Sequence, residues 1–215
     1  MIKLKICCIN SFEEAITAIE FGASAIGLVG EMPSGPGVIT DSLIKIIAAA
    51  VPPPIAAFLL TSETRGEEIV KHHHRTYTNT IQLVDAPELG TYAYLRENIP
   101  AVKLVQVVHV LDEKSVEYSI KVSNEVDALL LDSGNPNLAI KELGGTGRTH
   151  NWKLSRKIAE QSSKPVFLAG GLNPDNVREA VETVHPFGID VCSGVRTNGS
   201  LDKYKLEKFV RELFG

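Results

Sequence analysis

The chain has 215 residues, of which 44% are hydrophobic and 22% charged, a composition typical of a soluble globular protein with a sizeable core. Its formal net charge of −4 excludes a general electrostatic attraction to nucleic acid or to an anionic membrane. Any anionic ligand must therefore be held by local groups.

Targeting and redox signals are few. The first residues contain no long apolar run, so we expect no signal peptide. The most apolar stretch, residues 44–60, is interrupted by three consecutive prolines and cannot cross a bilayer as a helix. Three cysteines, two of them adjacent, do not make a disulfide framework. We therefore expect a cytoplasmic protein.

The first half of the chain alternates short apolar runs with helical patterns. Period-two or apolar runs predict strands at residues 2–7, 25–29, 55–60 and 81–84, with helices starting near residues 11, 40, 63 and 87. Ser11 and Glu14 predict a capping box for the first helix. Three histidines, residues 72–74, follow one another on the third helix and point in different directions. We interpret them as a solvated face rather than a metal cluster.

The second half repeats the same order of elements. Strands are predicted at residues 102–110, 127–132, 166–169 and 188–192, and helices at residues 112–122, 152–162, from 173 and 201–213; Asn173 is the expected N-cap of the third of these helices. Strand–helix units at spacings of about 25 residues predict an α/β fold, a single-domain (βα)8 TIM barrel over residues 1–215. An open doubly wound sheet is the alternative. No Gly-x-Gly-x-x-Gly motif follows the first strand, which counts against dinucleotide binding.

Two strand ends carry candidate catalytic residues. Cys7 ends the first strand on the same face as Lys5, and its thiol becomes a base if a nearby cation lowers its pKa; a small buried hydrophobe is the alternative. Cys8 is expected to point away and pack. Asp132 follows three leucines, so partial desolvation would raise its pKa and suit it to general-acid work, with an ordering role in the loop as the alternative. Lys5 and Asp190, inward-facing on adjacent strands, predict a structural ion pair.

Glycine turns follow the last three strands. Such turns present backbone N–H groups, and neighbouring turns at the end of a parallel barrel form a phosphate site. The residues expected to bind phosphate or substrate are Gly145, Gly147, Gly170, Gly171, Ser193 and Gly194. Arg148 and Arg196 flank two of these turns and are candidate anion clamps, with ordinary surface arginines as the alternative.

Several segments together resemble the phosphoribosylanthranilate isomerase family of tryptophan biosynthesis. They occur in the family's order and span nearly the whole chain: Lys5-Ile6-Cys7, Ile81-Gln82-Leu83, Leu130-Leu131-Asp132, Gly144-Gly145-Thr146-Gly147, Leu168–Pro174 and Asp190–Val195. The resemblance implies an Amadori rearrangement of N-(5-phosphoribosyl)anthranilate with neither cofactor nor metal. It implies that Asp132 is the general acid and Cys7, as thiolate, the base.

The chain departs from the family pattern at the anthranilate end. The differing positions are Cys8 for glycine, a loop at residues 33–37 without the usual arginine, Val84 for histidine, Asn151 for aspartate and Arg196 for an acidic residue. We expect Arg196 to have become the carboxylate clamp. The alternative is a divergent paralogue that acts on, or only binds, a different phosphosugar. The expected partner is a small phosphosugar substrate, with neither nucleic acid nor membrane, and the chain is expected to be a monomer or a homodimer.

Overall fold

The computed structural model describes residues 1–135, 138, 143 and 147–215. The main strands are β1 (Lys3–Ile6), β2 (Ala25–Val29), β3 (Ala56–Thr61), β4 (Thr80–Leu83), β5 (Lys103–His109), β6 (Ala128–Asp132), β7 (Val166–Leu168) and β8 (Gly188–Val191). The helices are α1 (Phe12–Glu20), α2 (Asp41–Ala50), α3 (Gly66–Thr76), α4 (Thr91–Asn98), α5 (Glu113–Ser123), α6 (Trp152–Gln161), α7 (Val177–Val184) and α8 (Lys203–Phe214). Between β8 and α8 lie a 3₁₀ turn (Ser193–Val195) and the short strands β9 (Arg196–Thr197) and β10 (Ser200–Leu201).

The eight main strands form a closed parallel barrel in chain order. Closure is made by β1 and β8, which pair in parallel with Lys5 opposite Asp190 and Ile6 opposite Val191. The predicted (βα)8 barrel is therefore confirmed, and the open-sheet alternative is wrong because the sheet has no free edge. All strands end at one rim, so side chains at their carboxyl ends are brought together there.

Two apolar layers hold the barrel. Leu4 and Ile6 of β1 belong to the outer layer, which packs the strands against the helices, while Cys7 belongs to the inner layer inside the barrel. Phe58 and Phe167 fill the inner layer edge to face, with ring centroids 6.2 Å apart. The alternation predicted for the first strand is thus confirmed. Among the residues that the structure describes, none of the helices is long and apolar enough to cross a membrane.

The histidines of α3 contradict the predicted solvated face. His72 and His73 are buried, at 3% and 8% exposure. His72 Nδ1 lies 3.0 Å from Thr61 Oγ1, and its Nε2 lies 3.1 Å from Asp41 Oδ1. The buried face of α3 has only two aliphatic side chains, Ile69 and Val70, and the histidines complete it. A count of apolar residues misses this face because the ring of His72, whose two nitrogens are both bonded, packs inside like an apolar group.

The helix before the last main strand begins later than predicted. Asn176, not Asn173, is its N-cap, and residues 173–176 form a turn. Asn173 Oδ1 accepts a hydrogen bond from the Asp175 N–H at 2.9 Å, and Asn176 Oδ1 accepts one from the Asn173 N–H at 2.9 Å. Asparagine side chains compete with helical hydrogen bonds in this way. Asn176 also donates to the Gly171 carbonyl at 3.0 Å and so fixes the turn after β7.

Candidate active site

An open cleft lies at the carboxyl ends of the strands. This is the end at which TIM-barrel enzymes act. Most of its walls come from strand ends and the turns that follow them: Cys7, Cys8, Val29, Leu60, Gln82, Val84, Asp132, Gly170, Gly171, Asp190, Cys192 and Ser193. Residues 34–36, from the loop after β2, also line it.

Cys7 is buried beside a fixed cation. Its Sγ and the Nζ of Lys5 both lie against Gly27, where an added Cβ would be 2.8 Å from the sulfur and 3.1 Å from the nitrogen. A hydrogen bond from the Cys8 thiol lowers the pKa of Cys7; burial raises it, while the Lys5 charge lowers it and Asp190 raises it. The pKa of Cys7 is lowered overall, so the thiolate form is favoured, which is the form that a catalytic base requires.

The predicted ion pair between Lys5 and Asp190 is confirmed, and it holds the Lys5 cation in place. Lys5 Nζ lies 2.9 Å from Asp190 Oδ1, with Lys5 fully buried and Asp190 7% exposed. Burial alone lowers the pKa of Lys5, but the Asp190 carboxylate raises it overall. Lys5 also lies 5.2 Å from the centroid of the Phe58 ring. A permanent positive charge therefore sits inside the barrel next to the Cys7 thiol.

Replacing Lys5 by Met is expected to lower the free energy of unfolding by about 3–5 kcal/mol, because Asp190 would keep a buried charge without its partner. The pair Lys5→Met/Asp190→Asn should recover most of this loss, since no unpaired charge remains. Urea unfolding of both variants at neutral pH measures the difference. Equal losses in the single and the double variant would show that packing, rather than charge pairing, sets the effect.

Asp132 ends β6 as a buried carboxylic acid, 7% exposed. Burial raises the pKa of Asp132 to about 6; the Ser133 N–H, 2.7 Å from Oδ1, opposes the rise, and the nearby Asp190 charge adds to it. Gly170 lies directly against this group, because a Cβ there would be 3.0 Å from Oδ1. A group with this pKa is suited to give a proton near neutral pH.

The predicted phosphate turns converge. A Cβ on Gly171 would clash with the backbone of residues 148–149, at 2.7 Å from the Thr149 nitrogen, and one on Gly194 would lie 2.9 Å from the Asn173 Cα. For Gly147 the nearest atom to such a Cβ is Ser193 Oγ, at 3.9 Å. The turns after β6, β7 and β8 therefore touch one another. Gly145, also predicted here, lies outside the described residues.

The structure does not bring Arg196 to the cleft, which corrects the prediction that it clamps the substrate. The side chain is 7% exposed, and its two terminal nitrogens bind the Glu14 carboxylate at 3.1 and 2.9 Å. Nη2 also donates to the Cys8 carbonyl at 2.6 Å and Nη1 to the Gly199 carbonyl at 2.8 Å. Arg196 thus stabilises the backbone at Cys7 and Cys8 through hydrogen bonds to their carbonyl groups.

This pairing also changes the predicted capping box. Ser11 Oγ accepts from the Glu14 N–H at 3.2 Å, as expected, but the Glu14 carboxylate accepts from the Asn10 N–H and from the Leu201 N–H, besides binding Arg196. Glu14 therefore links α1 to the hairpin of β9 and β10. A capping pattern in sequence predicts the helix start but not this longer-range use of the carboxylate.

Arg196→Ala is expected to lower the free energy of unfolding by about 3 kcal/mol, because it leaves the nearly buried Glu14 carboxylate without its cation. Arg178→Ala is the matched control: that arginine pairs with Glu212 on the surface and its loss should cost far less. Urea unfolding compares the two. A stable Arg196→Ala protein with weakened substrate affinity alone would restore the clamp interpretation.

Cys8 contradicts the expectation that it points away from the cleft. Its φ of +62° is in the left-handed region, which turns the chain so that Cys8 joins the inner layer beside Cys7. The Cys192 thiol donates a hydrogen bond to Cys8 Sγ over 2.7 Å. Cys7, Cys8 and Cys192 are therefore neighbours at the rim between β1 and β8, although Cys192 is distant in sequence and strand alternation places Cys8 on the other face.

Gln82 is a cleft residue that sequence reasoning misses. It lies in β4, is 3% exposed, and its Oε1 has no hydrogen-bond partner among the described residues. A buried amide without a partner on a cleft wall is free to bind a ligand. The signal was present as a polar residue within an apolar strand. Of the described side chains that line the cleft, none is a lysine, arginine or histidine.

Comparisons with known proteins agree with this geometry. The model of the family N-(5′-phosphoribosyl)anthranilate (PRA) isomerase matches residues 4–212. N-(5′-phosphoribosyl)anthranilate isomerase 2 of Methanosarcina mazei is 36% identical over 97% of the chain and 92% of its own length, and the isomerase of Halobacterium salinarum is 34% identical over 98% and 94%. The crystal structure of the Thermotoga maritima phosphoribosyl anthranilate isomerase superposes with a TM-score of 0.83 at 28% identity, over 99% of the chain and 98% of that structure.

Proposed function

Because the chain belongs to the N-(5′-phosphoribosyl)anthranilate isomerase family, we propose that Cys7 and Asp132 catalyse its reaction in tryptophan biosynthesis. That reaction is the Amadori rearrangement of N-(5′-phosphoribosyl)anthranilate to 1-(2-carboxyphenylamino)-1-deoxyribulose 5-phosphate. One observation carries the assignment: a buried thiol of lowered pKa and a buried acid of raised pKa line the same cleft. Named relatives of the same activity along the whole chain disfavour the divergent paralogue.

Asp132 acts first in the proposed mechanism. In its protonated form the carboxylic acid gives a proton to the ring oxygen of the ribose, and the carbon–oxygen bond opens to a protonated Schiff base. The raised pKa supports this role, because an appreciable fraction of Asp132 holds its proton near neutral pH. Burial at the end of β6 is the main cause of this raised pKa, because it disfavours the charged carboxylate.

Cys7 acts second. Its thiolate removes the proton from C2 of the sugar, and the protonated imine accepts the electron pair, giving an enolamine. The enolamine then tautomerises to the ketose. Because the imine is the electron sink, these steps need neither metal nor cofactor. The Lys5 charge and the Cys8 hydrogen bond support the thiolate form of Cys7 before substrate binds.

The glycine turns are proposed to hold the ribose phosphate. Their contacts with one another support this, because the glycine-bearing turns after three consecutive strands meet, and Gly170 among them lies against Asp132. The proposed phosphate-binding residues are Gly145, Gly147, Gly170, Gly171, Ser193 and Gly194. Arg196 is reassigned from substrate contact to support of the Cys7–Cys8 backbone.

The anthranilate ring is proposed to lie on the opposite wall. Val29, Leu60 and Val84, from β2, β3 and β4, give that wall an apolar surface. Gln82 supplies an amide there, and Ser34 lies on the loop above. The Gln82 atom without a partner is an acceptor oxygen and so suits an N–H of the ligand, while the Ser34 hydroxyl can donate a hydrogen bond to the carboxylate without forming an ion pair.

Three broader proposals accompany the reaction. The chain is proposed to be one domain, to act in the cytoplasm, and to be a monomer or homodimer that binds a small phosphosugar. Three free thiols close to the catalytic cleft support a reducing compartment. Analytical ultracentrifugation of the purified protein decides its oligomeric state.

The function is tested by following the fluorescence of phosphoribosylanthranilate as the purified protein consumes it. We expect saturable turnover and formation of the ketose product. A preparation of the Cys7→Ser variant, purified in parallel, controls for contaminating isomerase. Absence of turnover at high enzyme concentration would contradict the assignment and revive the divergent paralogue.

A further inference from the structure

Three thiols form a connected chain at the rim where β1 meets β8. Cys192 donates a hydrogen bond to Cys8, with the two sulfurs 2.7 Å apart, and Cys8 in turn is hydrogen-bonded to Cys7. All three line the cleft, and all three are free thiols. The reaction assigned to Cys7 gives no covalent role to the other two cysteines, although their placement is specific.

The backbone holds Cys8 in that place. Its φ of +62° is costly for a residue with a side chain and persists only where the surroundings impose it. Here the surroundings do so: Arg196 donates to the Cys8 carbonyl at 2.6 Å, and a Cβ on Gly37 would lie 3.0 Å from the Cys8 Cα. The Cys8 thiol is therefore directed at Cys192 by the fold and not by chance rotation.

The contact between the two sulfurs suits a disulfide. Cys8 and Cys192 lie in the turns just after β1 and β8, the two strands that close the barrel, and their sulfurs are 2.7 Å apart. A disulfide between them therefore needs no large movement of the backbone. Cys192 is also partly exposed at the cleft, so a soluble oxidant can reach it.

We propose that Cys8 and Cys192 are a redox modification site. A small-molecule disulfide oxidises the two thiols reversibly to a Cys8–Cys192 disulfide. This bond lowers isomerase activity while Cys7 itself stays unmodified. The second half of this proposal rests on the proposed role of Cys7 as the base. In the reduced protein Cys8 donates a hydrogen bond to Cys7; in the disulfide that donor is gone. The thiolate of Cys7 then keeps the Lys5 charge and the hydrogen bond from the Cys8 backbone but loses the largest stabilising contact, so its pKa rises toward the ordinary thiol value.

The chemistry balances with oxidised glutathione as the oxidant. The Cys192 thiolate attacks one glutathione sulfur, forming a mixed disulfide and releasing one glutathione thiolate. Cys8 then loses its proton and attacks Cys192 Sγ, which forms the internal disulfide and releases the second glutathione. Two protein thiols are oxidised and one glutathione disulfide is reduced to two thiols. Hydrogen bonding with Cys192 and with Cys7, together with burial, raises the pKa of Cys8, so the second step accelerates as pH rises.

The test treats the purified protein with oxidised glutathione, blocks free thiols and maps the peptides without reduction. We expect a peptide pair linked through Cys8 and Cys192, short of two hydrogen atoms, with Cys7 recovered in blocked form. Activity at pH 7 should fall about tenfold, because a smaller fraction of Cys7 is then present as the thiolate base. The loss should shrink at alkaline pH, and dithiothreitol should restore full activity.

Two variants control the experiment, each compared with its own untreated activity. Cys8→Gly suits the left-handed backbone, and Cys192→Ser keeps the size of the other partner; neither should form the link or respond to the oxidant. A link through Cys7, no link at all, or equal inactivation of Cys192→Ser would overturn the proposal. Peptide mapping needs no isomerase activity, so a linked but catalytically inert protein would contradict the function alone.

Discussion

Cys7→Ser is expected to reduce kcat/KM for phosphoribosylanthranilate at least 10³-fold. A serine hydroxyl at this position would not ionise near neutral pH, so no base would remain to take the C2 proton, and general-base contributions are about 10²–10⁴-fold. The oxygen is close in size to the sulfur, and Cys7 lies in a packed inner layer, so the free energy of unfolding should change little. Steady-state fluorescence kinetics and urea unfolding measure the two effects separately.

The matched control for this change is Cys192→Ser, which makes the same replacement at the same cleft. It leaves the Cys7 thiol, the Lys5 charge and the hydrogen bond between Cys8 and Cys7 in place. Its kcat/KM should therefore fall far less than that of Cys7→Ser. Comparable turnover in the two variants would show that Cys7 is not the base. A second measurement supports the assignment: at neutral pH iodoacetamide should label Cys7 faster than Cys8, because thiolates are the reactive form.

Much of the barrel is predictable because its cause is local. The alternation of Leu4 and Ile6 with Lys5 and Cys7 determines which face enters the barrel, and a period of two is visible in sequence. Placing Asp190 on the adjacent last strand needs one further step, the closure of the sheet. The confirmed ion pair follows from these two facts. Strand ends that meet at one rim then place Cys7 and Asp132 at a common cleft.

The failures arise where the deciding interaction is not local. Arg196 follows a strand-end turn, which resembles a ligand clamp, but its partner Glu14 is 182 residues away in sequence. Nothing in the residues around Arg196 indicates that partner. The prediction for Cys8 is wrong for a different reason. Strand alternation assumes a negative φ, and the φ of +62° at Cys8 reverses the expected direction of the side chain. Glycine at the corresponding family position is the signal that predicts such a backbone.

Burial of polar side chains is the third limit. His72 satisfies both ring nitrogens with Thr61 and Asp41, so it packs inside despite its polarity. Gln82 is buried for the opposite reason, as a cleft residue with an oxygen still available to a ligand. In the sequence alone, His72 and Gln82 are both simply polar residues. Their roles differ only in what surrounds them, and that depends on the packing of several elements at once.

Asp132→Asn is expected to inactivate the enzyme and to stabilise it. Asparagine has no acidic proton for the ring oxygen, so kcat/KM should fall about 10²–10⁴-fold. Its side-chain oxygen still accepts from the Ser133 N–H, so the local structure is kept. In the wild type, ionising a buried carboxyl whose pKa is about 6 opposes folding, because the same group ionises near 3.8 when unfolded.

The sign of the stability effect follows from that difference. The folded pKa is raised, so wild-type stability is complete below about pH 4 and decreases as pH rises through 6. Asn has no such penalty, and a shift of about two units corresponds to about 2–3 kcal/mol. At pH 8 urea unfolding should therefore show Asp132→Asn more stable than wild type by this amount, with the gap closing toward pH 4.

The pH dependence of turnover gives the same residue an independent test. Activity of the wild type requires a protonated Asp132 and an ionised Cys7, so kcat/KM should be bell-shaped, with one limb near pH 6. In Asp132→Asn only Cys7 titrates, and the residual activity should rise with pH to a plateau. Cys7→Ser must not share the gain in stability, because it leaves the Asp132 carboxyl and the cost of burying its charge unchanged. An Asn variant with a bell-shaped profile would remove Asp132 from the role of general acid, and an Asn variant less stable than wild type at pH 8 would contradict the raised pKa of Asp132.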